Sequence, residues 1–188
     1  MVELTIDMLP IGPLMIEHRL IDRVVVLLER QLAGIRSANR LDIDFINAAV
    51  DFFSFYADRV HHGKEEDILF TGLMNHDISG FDKAMIENLK NDHSRGRELI
   101  AKLEADVKQI SSSWNAESLK AIAGDLEDLI KLYKEHIHKE DKEFFIPAMK
   151  YLTKPEQSVM LRSFWEFDRE LIHEKYRKIV EVFEKADY

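Results

Sequence analysis

Four stretches of this chain repeat apolar residues at alternating steps of three and four, and each repeat is interrupted by a histidine. That spacing buries one stripe of an amphipathic helix. The first row is Leu14, His18, Ile21, Val25, Leu28 and Leu32; the third is Ile86, Leu89, His93, Gly96, Ile100 and Leu103. The fourth is Leu119, Ile122, Leu126, Leu129, Tyr133, His136, Glu140 and Phe144. The second is more polar: Phe45, Ala48, Phe52, Phe55, Arg59, His62, Glu66, Leu69 and Leu73. Four helices with buried stripes form a bundle, and this bundle must accommodate four histidines and two glutamates inside.

Within the second row, His61-His62-Gly63-Lys64-Glu65-Glu66 contains two overlapping His-x-x-x-Glu pairs, and His136/Glu140 repeats the spacing. Side chains four apart share a helix face, so each pair can grip one metal ion. A period of 3.6 separates the overlapping pairs. His62/Glu66 continues the apolar row, whereas His61/Glu65 continues the polar row Asn47, Asp51, Ser54, Asp58 and is expected to face outward. His76 and His138 are likewise expected on the surface, and His173 stands at the edge of a helix face, as do Glu17 and Glu65. The candidate ligands are therefore His18, His62, Glu66, His93, His136 and Glu140.

A buried carboxylate needs a partner or a metal. A salt-bridge network through Arg59 is the alternative to a metal site, but a metal is one shared cause for all six groups. Nitrogen and oxygen donors without sulfur suit iron or manganese, with zinc possible. Two bridging carboxylates and two histidines per ion would leave about two positions on each for water or a small molecule.

The remaining sequence sets bounds. There is no cysteine, which removes thiolate sites, disulfides and cysteine nucleophiles. A net charge of −9 argues against nucleic acid or an anionic membrane as partner. No apolar run approaches the roughly 18 residues of a membrane span and no secretory signal is apparent, so a cytoplasmic protein is expected. Helix one is expected to start near Pro13, and Pro147 to kink or close helix four. Thr153-Lys154-Pro155-Glu156 reads as a capping box opening a fifth helix with Leu161, Phe164, Ile172, Ile179 and Phe183. With no linker or repeat, residues 1–188 read as one all-α domain. Its core is an up-and-down four-helix bundle over about 14–150, with an additional C-terminal helix over about 155–186. Gly63 inside the second helix has no reason visible in the sequence.

His61-His62-Gly63-Lys64-Glu65-Glu66-Asp67-Ile68-Leu69-Phe70 and His136-Ile137-His138-Lys139-Glu140-Asp141 resemble the two signature segments of hemerythrin-like, HHE cation-binding domains. Asp92-His93-Ser94-Arg95-Gly96-Arg97 is similar to that family's third-helix segment, and Glu17-His18 stands at its first-helix histidine. The resemblance spans about residues 14 to 150. It implies a four-helix bundle holding two non-haem iron ions, ligated by the same six residues, that senses or reacts with dioxygen, nitric oxide, peroxide or iron itself. The alternative it implies is a di-iron redox enzyme or an iron donor in oxidative or nitrosative stress and iron–sulfur repair. Oxygen carriers of the family have a second third-helix histidine where this chain has Arg97. By resemblance the expected centre is therefore the symmetric four-histidine, two-glutamate variant, and reversible dioxygen carriage is not expected. No protein partner can be named.

Overall fold

The computed structural model describes residues 9–112 and 114–185. It contains five helices and, among the described residues, no strand. Helix α1 is Ile11–Ala38, two residues ahead of the expected start, with Pro13 inside its first turn. It ends on Asn39, whose left-handed backbone (φ 48°) lets its N–H reach back to the carbonyls of Gly34 and Ile35. Helix α2 occupies residues 43–74 and is capped by Asp42, which accepts a hydrogen bond from the Phe45 N–H at 3.0 Å. Helix α3 is Gly80–Ser112, and α4 occupies residues 116–151, capped by Asn115 through the Ser118 N–H. As expected of Pro147, α4 closes just beyond it, in a 3₁₀ turn at Met149–Tyr151. Helix α5, Lys154–Lys185, opens on the anticipated capping box: the Thr153 N–H donates to Glu156 Oε2 at 2.7 Å, and the Glu156 N–H returns to Thr153 Oγ1. Ile172, Ile179, Phe183 and His173 have side chains outside the described residues.

Helices α1 to α4 form the up-and-down bundle, each packed on its neighbours in sequence and α1 closing against α4. The rows read for α1, α3 and α4 are buried throughout. Two apolar clusters fill the interior. One holds Val25, Leu28, Phe53, Leu103, Leu126 and their neighbours; the other holds Leu14, Leu69, Phe70, Ile86, Leu89, Phe144 and Phe164. On α1, α2, α3 and α4 the buried histidines lie where the two clusters meet. The polar layer is thus sandwiched between two dry ones.

Helix α2 departs from the expected register. Residues Phe52–His62 and Glu65–Phe70 are π-helical, as is Lys139–Phe144 in α4. A π turn closes i→i+5 hydrogen bonds and so takes in an extra residue. The buried row therefore becomes Phe53, Ala57, His61, Glu65, Leu69, Leu73, in steps of four. His61 and Glu65 are buried, not outward as a constant 3.6 period implies, while Arg59 is exposed and Glu66 is only partly covered.

Candidate metal centre

The wide turns of α2 bring three donors to one level; α1 and α3 add one each, and α4 adds two. His62, Glu65, His93 and His136 offer ligand atoms that all lie within 4.8 Å of one another, and so do His18, His61, Glu65 and Glu140. Glu65 belongs to both groups, with Oε1 at 3.3 Å from His61 Nε2 and Oε2 at 3.4 Å from His93 Nε2. Glu140 also faces both: its Oε2 lies 3.1 Å from His18 Nε2 and 3.2 Å from His136 Nε2. The rings of His62 and His93 stack at 3.9 Å, and His18 lies edge-on to His61 at 4.6 Å.

Behind every histidine stands a carboxylate. His18 Nδ1 meets Asp141 at 2.8 Å, His61 Nδ1 meets Glu17 at 2.9 Å, and His93 Nδ1 meets Glu66 at 2.8 Å. His62 Nδ1 meets Asp58 at 3.3 Å, and His136 Nδ1 is 3.5 Å from Asp92. An acceptor at Nδ1 holds the ring proton there and aims the Nε2 lone pair inward, the arrangement that orients metal-ligating imidazoles. Three cations back four of these pairs. Arg97 donates to both Asp58 (2.7 Å) and Glu66 (2.6 Å), Lys139 pairs with Asp92, and Lys64 pairs with Glu17.

The inner layer is electrostatically unfinished. Nε2 of all five histidines and both oxygens of Glu65 and Glu140 are buried without a hydrogen-bond partner. Burial, reinforced by the neighbouring histidines, holds His61 and His93 well below the usual imidazole range; burial also lowers His62. Burial pushes Glu65 well above the carboxylate range, and Glu140 close by adds to it. His18 is the exception. Burial lowers its affinity for a proton, but Asp141 and Glu140 outweigh it and raise the pKa to about 9. Imidazoles held neutral, as at His61, His62 and His93, beside two glutamates are what divalent cations require, and buried orphaned donors are costly without them. The residues fit a dinuclear metal centre.

Of the expected ligands, the structure brings His18, His62, His93, His136 and Glu140 together. Glu66 it does not: that residue lies one layer out, hydrogen-bonded to His93 and Arg97. Glu65 faces the centre instead, and His61, expected on the surface, joins it. The unbroken steps of four from Phe53 to Leu73 are the signal in the sequence that carried this register. His138 is exposed, as expected. Arg97 points to two carboxylates and Arg59 to neither glutamate's centre-facing oxygens, so the ion pairs present leave the inner layer unsatisfied. The expected symmetry is also absent. Three histidines serve one group and two the other, because α2 contributes His61 as well as His62.

A four-helix bundle with buried histidines on every helix and two glutamates facing both halves of the cluster is a metal-binding protein. Residues 9–146 match the family model described as the hemerythrin HHE cation-binding domain, and the chain belongs to that family. No curated protein and no solved structure gives a significant match. Among the described residues no helix is long and apolar enough to cross a membrane.

Proposed function

We propose that this protein holds two iron ions and uses them to bind or sense one small ligand of the dioxygen or nitric oxide type. The observation that carries this reading is the three-to-two division of five buried histidines around Glu65, common to both groups, and Glu140, which reaches His18 on one side and His136 on the other. His62, His93 and His136 with Glu65 and Glu140 give one ion five protein donors. His18 and His61 with the same glutamates give the other four. For six-coordinate ions the second site has one more position to offer than the first. The iron, when bound, supplies electrons and an open coordination position to the incoming molecule.

The chain's own residues do the rest. Carboxylates at Nδ1 keep His18, His61, His62 and His93 in the ligating tautomer, and Asp92 stands 3.5 Å from His136 Nδ1. Phe145 stacks on His18 at 5.6 Å, and Tyr133 and Phe70 flank His62 and His93, so water is kept from the layer. A cavity of about 190 Å³ lined by Phe53, Asp58, His62, Gly96, Arg97 and Tyr133 lies against His62, on the five-donor side of the centre, and meets neither His18 nor His61. A larger hollow of about 590 Å³ beside Arg30, Arg40 and Asp42 meets none of the donors. With an unequal centre, the symmetry argument against reversible binding no longer applies.

The test is to load the protein anaerobically with ferrous iron, measure iron per chain, and titrate with nitric oxide. Two irons per chain and one equivalent of nitric oxide are expected, read from absorption and paramagnetic resonance spectra. Uptake of one iron or none, or equal binding of nitric oxide at both ions, overturns the reading.

A further inference from the structure

Helix α5 lies beyond the segment that matches the family, yet it is built onto the centre. Its docking line runs antiparallel to α2. A Cβ at Gly72 would meet Met160 Cε at 2.7 Å, and one at Gly63 would meet the Phe167 ring at 2.7 Å. The two glycines therefore leave room on α2 for the Met160 and Phe167 side chains, the flexible Met160 tip being the easier of the two to move. Phe164, between these contacts, is fully buried in the apolar cluster below the centre.

The next residue along each helix carries charge. Lys64, which follows Gly63, is fully buried. Its ammonium has two anionic partners: Glu17 of α1, and Asp168 of α5, whose Oδ1 and Oδ2 lie at 2.8 and 3.0 Å. Glu17 uses Oε1 for Lys64 and Oε2 for His61 Nδ1. An unbroken chain thus runs from α5 through Asp168, Lys64 and Glu17 to His61. It differs from the supports of the other histidines. Arg97 and Lys139 belong to the bundle itself and reach solvent, at 44% and 24% exposure. Lys64 has no access to water, and half of its charge compensation comes from a helix outside the bundle.

We propose that α5 is a regulatory clamp on the iron held by His18 and His61: docked, Asp168 shares the charge of Lys64 and holds Glu17 against His61. The proposal rests on the seven-donor reading of the centre. Undocking α5 takes one of the two anions from Lys64, leaves Glu17 to carry the ammonium alone and opens the network to water, which loosens Glu17 from His61. His61 then loses the acceptor that aligns its ring. Second-layer losses of this kind typically weaken metal binding about tenfold to a hundredfold. The coupling is reciprocal: iron at this half of the centre must favour the docked helix by the same factor. A protein or condition that competes for α5 would thereby report on, or discharge, one ion of the pair.

The test uses the full chain and ferrous iron under anaerobic conditions, with affinities read by competition against a chromophoric chelator. Asp168→Asn removes the charge, and Phe167→Ala loosens the helix without touching it. Both are expected to weaken one of the two irons about tenfold or more and to leave the other unchanged. Asp168→Glu is expected to restore most of the loss. In the unaltered protein, iron loading is expected to slow amide exchange over residues 160–171, and Asp168→Asn to abolish that response. Unchanged affinity for both ions, equal weakening of both, or exchange in α5 that ignores iron overturns the clamp. An unaltered protein that fails to take up two irons instead overturns the reading of the centre, before any variant is compared.

Discussion

At the residue scale, neighbours one position apart do different work. Glu65 and Glu66 are adjacent, but one faces both groups of histidines and the other buttresses His93 from behind. His61→Ala and Glu65→Ala should each lose at least one iron per chain by elemental analysis. Glu66→Ala should keep two irons at saturation while its affinity drops about tenfold to a hundredfold. His138→Ala should change neither. A second residue-scale expectation concerns Asp125, far from the centre. Burial raises its carboxyl to about 6, against the pull of Lys102 and with help from Asp106. Its ordinary value is 3.8, so between about 4 and 6 the folded form holds a proton that the unfolded chain gives up. Stability contributed by this group is therefore present at low pH and lost as pH rises through 6. In metal-free protein, Asp125→Asn should remove that decline, seen as a smaller fall in melting temperature between pH 4 and 6.5 than in the unaltered chain.

At the scale of elements, the π-helical turns of α2 and α4 are what make the centre possible. An α-helix presents one residue per turn to a given level, whereas the widened turns of α2 deliver His61, His62 and Glu65 together. The same helix receives α5 through Gly63, whose backbone is ordinary helix (φ −58°) and needs no glycine for its own sake. On propensity alone, Gly63→Ala should stabilise by up to about 1 kcal/mol. The Phe167 ring at 2.7 Å opposes this, and overpacking of that kind costs about 1–3 kcal/mol. Gly63→Ala is thus expected to lower stability in the unaltered protein and to raise it in a Phe167→Ala background. Chemical denaturation of the four proteins checks the change of sign.

At the scale of the whole molecule, a polar layer lies between two apolar clusters, and each cluster continues without the other's help. The bundle should therefore remain helical when stripped of metal, while losing the stabilisation that a native-state ligand confers by mass action. Chelation should lower the melting temperature by several degrees, about 2–4 °C for each kcal/mol in a chain of this size, with little change in far-ultraviolet circular dichroism. An unchanged melting temperature would mean that the orphaned nitrogens and oxygens of the centre are satisfied without metal.

The amino-acid sequence alone determined the helical class, the buried rows of α1, α3 and α4, their histidines at 18, 93 and 136, Glu140 as a core carboxylate and the capping box of α5. Each of these follows from a period of 3.6 or a local hydrogen bond, and local rules reach that far. It also carried the donor types, because nitrogen and oxygen without sulfur is a matter of composition. Tertiary structure decided the rest. Whether α2 keeps 3.6 residues per turn depends on what the facing helices demand of it, so packing had to select the row in steps of four over the 3.6 row, turning Glu65 inward, Glu66 outward and His61 into the centre. Arg97 stands beside His93 in sequence like a substitute ligand, yet its partners, Asp58 and Glu66, lie 39 and 31 residues away. The reason for Gly63 lies more than a hundred residues further on, in the Phe167 ring, where no periodicity within α2 could show it.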